Sequence, residues 1–201
     1  MTLVAATGLR ERKKERMREG LAAAALQLFG ERGFDHVTVE EIVDACDVSP
    51  RTFFRYFASK EDALFAETDG NVARLLDSLA EQPADVTVLT ALEAAMLDLA
   101  RTYAAGREAV LARHAVIAAT PSLHTRIAER QRGWETSVID QLRSSGRARR
   151  MSDIDLRLLV AAANAALRVA IESWLDSGAE GDLARLVGRT FKRLRGGLDR
   201  I

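Results

Sequence analysis

Apolar residues recur at spacings of three and four along nearly the whole chain, the period of helices that bury one face. Residues 10–31 open on the charged run RERKKERMREG and then place Met17, Leu21, Ala24, Ala25, Leu28 and Phe29 on one such face. Gly33 follows where a helix-terminating glycine is expected. Thr38 begins TVEEIVDAC with Glu41 three residues on, the pattern of a capping box, and Val39, Ile42, Val43 and Cys46 suit a second, short helix. After a brief break, Ser49-Pro50 sets a serine cap before a proline at the first helical position and opens a third helix, PRTFFRYF. Ser59 then caps a restart at Lys60-Glu61-Asp62.

From there the pattern predicts longer helices over about 59–79, 86–105, 107–119, 122–144, 153–176 and 181–195, broken at Pro83, Gly106, Pro121, Gly146, Gly178 and Gly196. No alternating strand pattern, repeat or low-complexity tract interrupts them. The expected fold class is all-α: a three-helix N-terminal domain over residues 10–58, followed by a helical domain over 59–201.

Composition agrees. The chain has 201 residues, 48% of them apolar, with 34 alanines and only three prolines, which favours long helices around a sizeable core. The single Cys46 excludes a disulfide framework and a multi-cysteine metal site, and no metal or other cofactor is expected. No window reaches the eighteen or so apolar residues a membrane helix needs, so a soluble, cytoplasmic protein without a membrane partner is expected. The 25 arginines against four lysines fit a GC-rich genome.

Twenty-nine basic residues balance 29 acidic ones. Neutrality excludes a protein that holds nucleic acid by bulk charge, but the charges are segregated. The stretch Arg10 to Arg18 carries six positive and two acidic residues, and Ser49 to Lys60 carries three positive and none acidic. The first run is either an arm touching phosphates or the minor groove, or the solvated start of a helix.

Three short helices, the third opening after a tight turn, describe a helix-turn-helix unit, whose third helix presents side chains to base edges in a major groove. On it Arg51, Thr52, Arg55 and Tyr56 are polar, while Phe53 and Phe57 can pack inward. Arg55 can donate two hydrogen bonds to a guanine; Thr52 or Tyr56 can bond phosphate or touch a thymine methyl. Lys60 is placed for a phosphate. A short amphipathic helix with merely solvated arginines has the same spacing.

The stretch ALQLFGERGFDHVTVEEIVDACDVSPRTFFRYFASKEDALF resembles the N-terminal domain of TetR-type bacterial transcriptional regulators. The resemblance rests on Ala24-Ala25, Leu28-Phe29, Gly33-Phe34, Thr38, Ile42, Val48-Ser49, Thr52-Phe53, Tyr56-Phe57 and Ser59-Lys60-Glu61. It implies DNA contacts from Thr38, Arg51, Thr52, Phe54, Arg55, Tyr56 and Lys60. Two positions depart from the family pattern. Phe54 stands where a tyrosine usually offers its hydroxyl to a phosphate, and Tyr56 stands where histidine is frequent. The RTFFRYF variant resembles one subgroup, some of whose members sense acyl-CoA-like molecules, and it puts the operator sequence in question.

The resemblance further implies a homodimer paired through the last two helices and a small-molecule effector, largely apolar, bound among the middle helices. Ala161, Ala162, Ala165 and Ala166 would allow close approach of the penultimate helix, and Leu183, Leu186, Val187, Phe191 and Leu194 form a stripe on the last; both stripes equally suit an internal core. Candidate effector contacts are Met96, Tyr103, His114, Trp134, Asn164 and Arg168. Each also has a plain structural role open to it, and Glu172 is a ready partner for Arg168. The expected function is a repressor that binds a palindromic operator of double-stranded DNA and is released by its effector. The alternatives are an activator of the same architecture and a helical ligand-binding or interaction module that no longer reads DNA. His36, His114 and His124 are scattered, and no phosphate loop, HExxH or GxSxG occurs, so no enzyme is expected.

Overall fold

The computed structural model describes residues 2–197, with side chains from residue 12 onward. Among the described residues there are helices and no strands, as the periodicity requires. In chain order the α-helices are α1 (Thr2–Arg32), α2 (Val39–Ala45), α3 (Pro50–Phe54), α4 (Lys60–Glu81), α5 (Val88–Ala105), α6 (Arg107–Ala118), α7 (His124–Ser144), α8 (Asp153–Asp176) and α9 (Leu183–Gly196). Single 3-10 turns occupy Phe34–His36 and Pro121–Leu123.

The described residues form two compact units, one running up to residue 69 together with 112–121, the other of 70–111 together with the residues from 122 onward. In the first, Leu21, Phe29, Ile42 and Phe53 are fully buried, so α1, α2 and α3 close on one small core. The basic run lies within α1. Lysine, arginine and glutamate are good helix formers, and Arg18 pairs with Glu15 one turn away at 3.4 Å. The side chain of Arg10, at the head of that run, lies outside the described residues. The third helix is shorter than its sequence pattern, because the amides of Tyr56 and Phe57 both turn to the Phe53 carbonyl, at 2.8 and 3.0 Å.

In the second unit Leu75, Leu92, Met96, Val138, Val160 and Phe191 belong to one continuous apolar cluster. Thr87, Ser152 and Asp182 cap α5, α8 and α9, each accepting the amide three residues on. Two arginines fasten loops by capping carbonyls. Arg147 donates to Gln82 and Pro83 oxygens at 2.5 and 2.6 Å, and Arg143 donates to those of Ala148 and Met151 at 2.9 and 3.1 Å. The turn after α8 is left-handed at Gly178 (φ 74°), which glycine adopts without steric cost, and again at Ala179 (φ 57°), whose amide returns to the Trp174 carbonyl at 2.8 Å. Leu183, Val187 and Phe191 of α9 turn into the protomer's own core at 0% exposure, which leaves Leu186 and Leu194 half-buried.

Candidate nucleic-acid interface

The local sequence builds the interface from α2 upward. Thr38 caps α2: its Oγ accepts the Glu41 amide at 3.3 Å while the Glu41 carboxylate accepts the Thr38 amide at 2.9 Å. The other carboxylate oxygen of Glu41 pairs with Arg32 at 2.6 Å, tying the end of α1 to the start of α2. The Thr38 amide, with Arg32 second, holds the Glu41 carboxyl below its ordinary 4.5.

The turn that aims α3 is closed by backbone bonds from Cys46 and Val48 to the Val43 carbonyl, at 3.1 and 3.0 Å, with Asp47 left-handed at φ 52°. Ser49 then caps α3, accepting the Thr52 amide at 3.3 Å, and Pro50 takes the first helical position. Cys46 lies beside this turn, partly buried, and burial raises its thiol pKa. That leaves it less reactive than a free thiol.

Phe53 and Phe57 pack inward with centroids 5.4 Å apart, and this orients the rest of α3. Arg51, Phe54 and Arg55 are exposed, and Thr52 and Tyr56 are half-buried. Arg55 is pre-positioned: its guanidinium lies 5.0 Å from the Tyr56 ring centroid and donates to the phenol oxygen at 3.2 Å. Three polar side chains near the interface are engaged within the chain itself. Lys60 turns inward, donating to the Phe34 and Val37 carbonyls at 2.8 and 2.9 Å with its ammonium 4.5 Å from the Phe34 ring centroid, so it ties the start of α4 to the turn after α1. The Thr38 hydroxyl is engaged by the cap. Arg18, from the basic run, lies over Phe57 at 5.6 Å and donates to the Ala66 carbonyl at 3.2 Å.

The effector candidates are not gathered in one unit. His114 belongs to the first; Met96, Tyr103, Trp134, Asn164 and Arg168 belong to the second. Met96 is fully buried, and Tyr103 and Trp134 pack against the same cluster. Asn164 donates to Glu135 at 2.8 Å, and Arg168 pairs with Glu172 at 2.9 Å. Sequence reading missed two other groups there. Asn71 Nδ2 and Trp174 Nε1 are each in a residue 1% exposed, and neither has a hydrogen-bond partner among the described residues. Arg74 can only donate, so its bond to Asn71 Oδ1 fixes the amide with its NH2 as the orphan. Pattern alone cannot flag them, since partnering is a property of the packed state.

Two family profiles match the chain: "Bacterial regulatory proteins, tetR family" over residues 21–68 and "MftR C-terminal domain" over residues 86–199. The HTH-type transcriptional regulator TcmR of Streptomyces glaucescens is 43% identical over 88 residues, a match spanning 44% of this chain but only 39% of TcmR. MftR of Mycobacterium tuberculosis, named as a mycofactocin biosynthesis transcriptional regulator, is 27% identical over 187 residues, 90% of each chain. Among solved structures, FadR of Bacillus subtilis in complex with stearoyl-CoA superposes with a TM-score of 0.59 at 18% identity, covering 89% of this chain and 97% of that one. Among the described residues no helix is long and apolar enough to cross a membrane.

Proposed function

The chain belongs to the TetR family of bacterial regulatory proteins, a family of regulators and not of enzymes, and from that premise we propose that it is a homodimeric repressor released from a palindromic operator by a small-molecule effector. Residues 10–58 serve as the DNA-binding part and 59–201 as the sensing and pairing part. The observation that carries the reading is the outward face of α3, where Arg51 and Arg55 stand exposed on a helix opened by the Ser49 cap and oriented by a buried Phe53, with no acidic residue from Ser49 to Lys60. One helix of this length reads few base pairs, so specificity calls for two half-sites about one helical turn apart.

The outer side of α8 supports pairing of two copies. Ile154, Leu158 and Val169 are 75%, 68% and 48% exposed, and with exposed Ala161 and Ala165 they make an apolar stripe of three- and four-residue steps. The small alanines at its centre suit close approach of a second α8. The α9 stripe contributes less, because Leu183, Val187 and Phe191 already fill the protomer's own core.

The orphan donors of Asn71 and Trp174 support an effector that is apolar in body and carries hydrogen-bond acceptors, since each buried, unanswered N–H costs about 1–3 kcal/mol. Release follows if the effector prefers the conformation with lower DNA affinity.

Fluorescence anisotropy with a duplex from the intergenic DNA upstream of its own gene, against a scrambled duplex, tests the reading. Preference of at least about a hundredfold for the natural duplex at moderate salt is expected. Equal affinity for both sinks it. Sedimentation equilibrium tests pairing: the wild type runs as a dimer and Leu158→Glu as a monomer.

A further inference from the structure

The outward face of α3 is not purely cationic. Pro50 and Phe54 lie four residues apart, as do Arg51 and Arg55, so an apolar stripe and a cationic one run side by side along a single turn. All four residues are exposed. Phe54 is 56% exposed, while its neighbours Phe53 and Phe57 are at 0% and 4%. It meets Phe53 edge-on with centroids 5.5 Å apart, which braces the ring without covering its outer side. Folding gains nothing from leaving that side in water.

The chemistry of Phe54 limits what it can touch. It has no hydroxyl to give a phosphate, and the arginines on either side favour a polyanion over an apolar protein surface. On the floor of a major groove the apolar group that a base edge presents is the thymine C5-methyl. Arg55 is held beside it by Tyr56 at 5.0 Å and does not depend on Phe54 for its placement.

We propose that Phe54 is a specificity-determining residue that packs against the C5-methyl of one thymine in each half-site, next to the base read by Arg55. This rests on the operator-binding reading. It moves the role of this position from phosphate anchoring to sequence readout, so the operator has a methyl requirement that no hydrogen-bond code would reveal.

The test uses the full-length protein and its preferred duplex, selected from a pool of randomised duplexes. A series is made in which each thymidine in turn is replaced by deoxyuridine, which removes the methyl and leaves the pairing edge intact. At one position per half-site the wild type is expected to bind about fourfold more weakly, the worth of one buried methyl. Phe54→Ala is expected to bind the unmodified duplex more weakly yet to be indifferent to the same replacement, the signature of direct coupling between ring and methyl. Phe54→Tyr keeps the ring and is expected to keep the penalty. Because the side chain is exposed, both variants should melt with the wild type, which separates contact from folding.

The proposal is overturned if every deoxyuridine duplex binds like its parent, or if the penalty persists unchanged in Phe54→Ala. A wild type that selects no duplex over scrambled DNA overturns the operator reading, and this inference with it. Clear selection together with a methyl effect independent of Phe54 overturns this inference alone.

Discussion

Arg113 of α6 donates to the carboxylate of Glu67 on α4 at 2.7 Å, and the arginine is buried at 7% exposure while the glutamate side chain keeps 35%. Both belong to the first unit, so a segment from the middle of the chain is fastened into the part that carries the helix-turn-helix. The pair is asymmetric. Removing the glutamate leaves a buried guanidinium without its counter-charge, whereas removing the arginine leaves a carboxylate that water can reach. Glu67→Gln is therefore expected to cost about 2 kcal/mol and Arg113→Met less than about 1 kcal/mol. Urea unfolding midpoints of the two variants give the order directly; equal losses would show that the buried charge is not what matters.

Lys60 is expected to act on stability and not on the electrostatics of DNA binding. Its two bonds to the Phe34 and Val37 carbonyls are charge-assisted, so Lys60→Met should cost about 2 kcal/mol and lower the melting temperature. The slope of log Kd against log salt should stay that of the wild type. A slope reduced by about one would return the ammonium to a phosphate.

Glu41 gives the first unit an acid limit. Its carboxyl is held below 4.5 chiefly by the Thr38 amide and then by Arg32, so the charged form is favoured in the folded state. A depressed folded pKa adds stability that is fully present above the unfolded value and is lost as pH falls through the folded one. Stability should thus decline below about pH 4.5 with a contribution from this residue. Glu41→Gln is expected to flatten that part of the melting-temperature profile while lowering the neutral plateau, which circular dichroism melts between pH 2.5 and 7 would record.

Asp47 sits left-handed at φ 52° in the turn that aims α3. Aspartate tolerates this region and glycine enters it freely, but a β-branched side chain does not. Asp47→Gly should change stability by less than about 0.5 kcal/mol, and Asp47→Val should cost about 1–2 kcal/mol. Thermal melts of the pair check the order, and a valine variant as stable as the glycine one would refute the turn geometry.

The two tryptophans give a probe of the effector. In Trp134→Phe, emission reports Trp174 alone, whose indole N–H is buried without an acceptor among the described residues. An effector that supplies an acceptor there should shift the emission maximum on titration. Release from DNA with no change in emission would place the effector elsewhere.

Much of this was legible from local spacing. The capping pairs Thr38/Glu41 and Ser49/Thr52, the proline at the first position of α3 and the inward Phe53 all follow from contacts within one or two turns, and so does the all-α class. The candidates on α3 were legible for the same reason: a helix period dictates which side chains stand outward once Phe53 and Phe57 are buried.

What spacing cannot carry is the choice of partner across distant segments. Lys60 looks equally available to a phosphate or to its own chain until the carbonyls of Phe34 and Val37 are brought to it. Asn164 looks like a polar group in need of a ligand until Glu135, from another helix, answers it, whereas the Glu172 partner of Arg168 was readable from its four-residue spacing. Conversely, Asn71 and Trp174 look ordinary until packing closes over their N–H groups and supplies no acceptor. The apolar faces of α8 and α9 read alike in sequence, and packing alone sends Leu183, Val187 and Phe191 inward and leaves Ile154 and Leu158 in water. Periodicity, caps and turn residues act over a few residues and so are written in the chain; burial and hydrogen-bond satisfaction depend on which residues meet across the whole of it, and only the folded structure decides them.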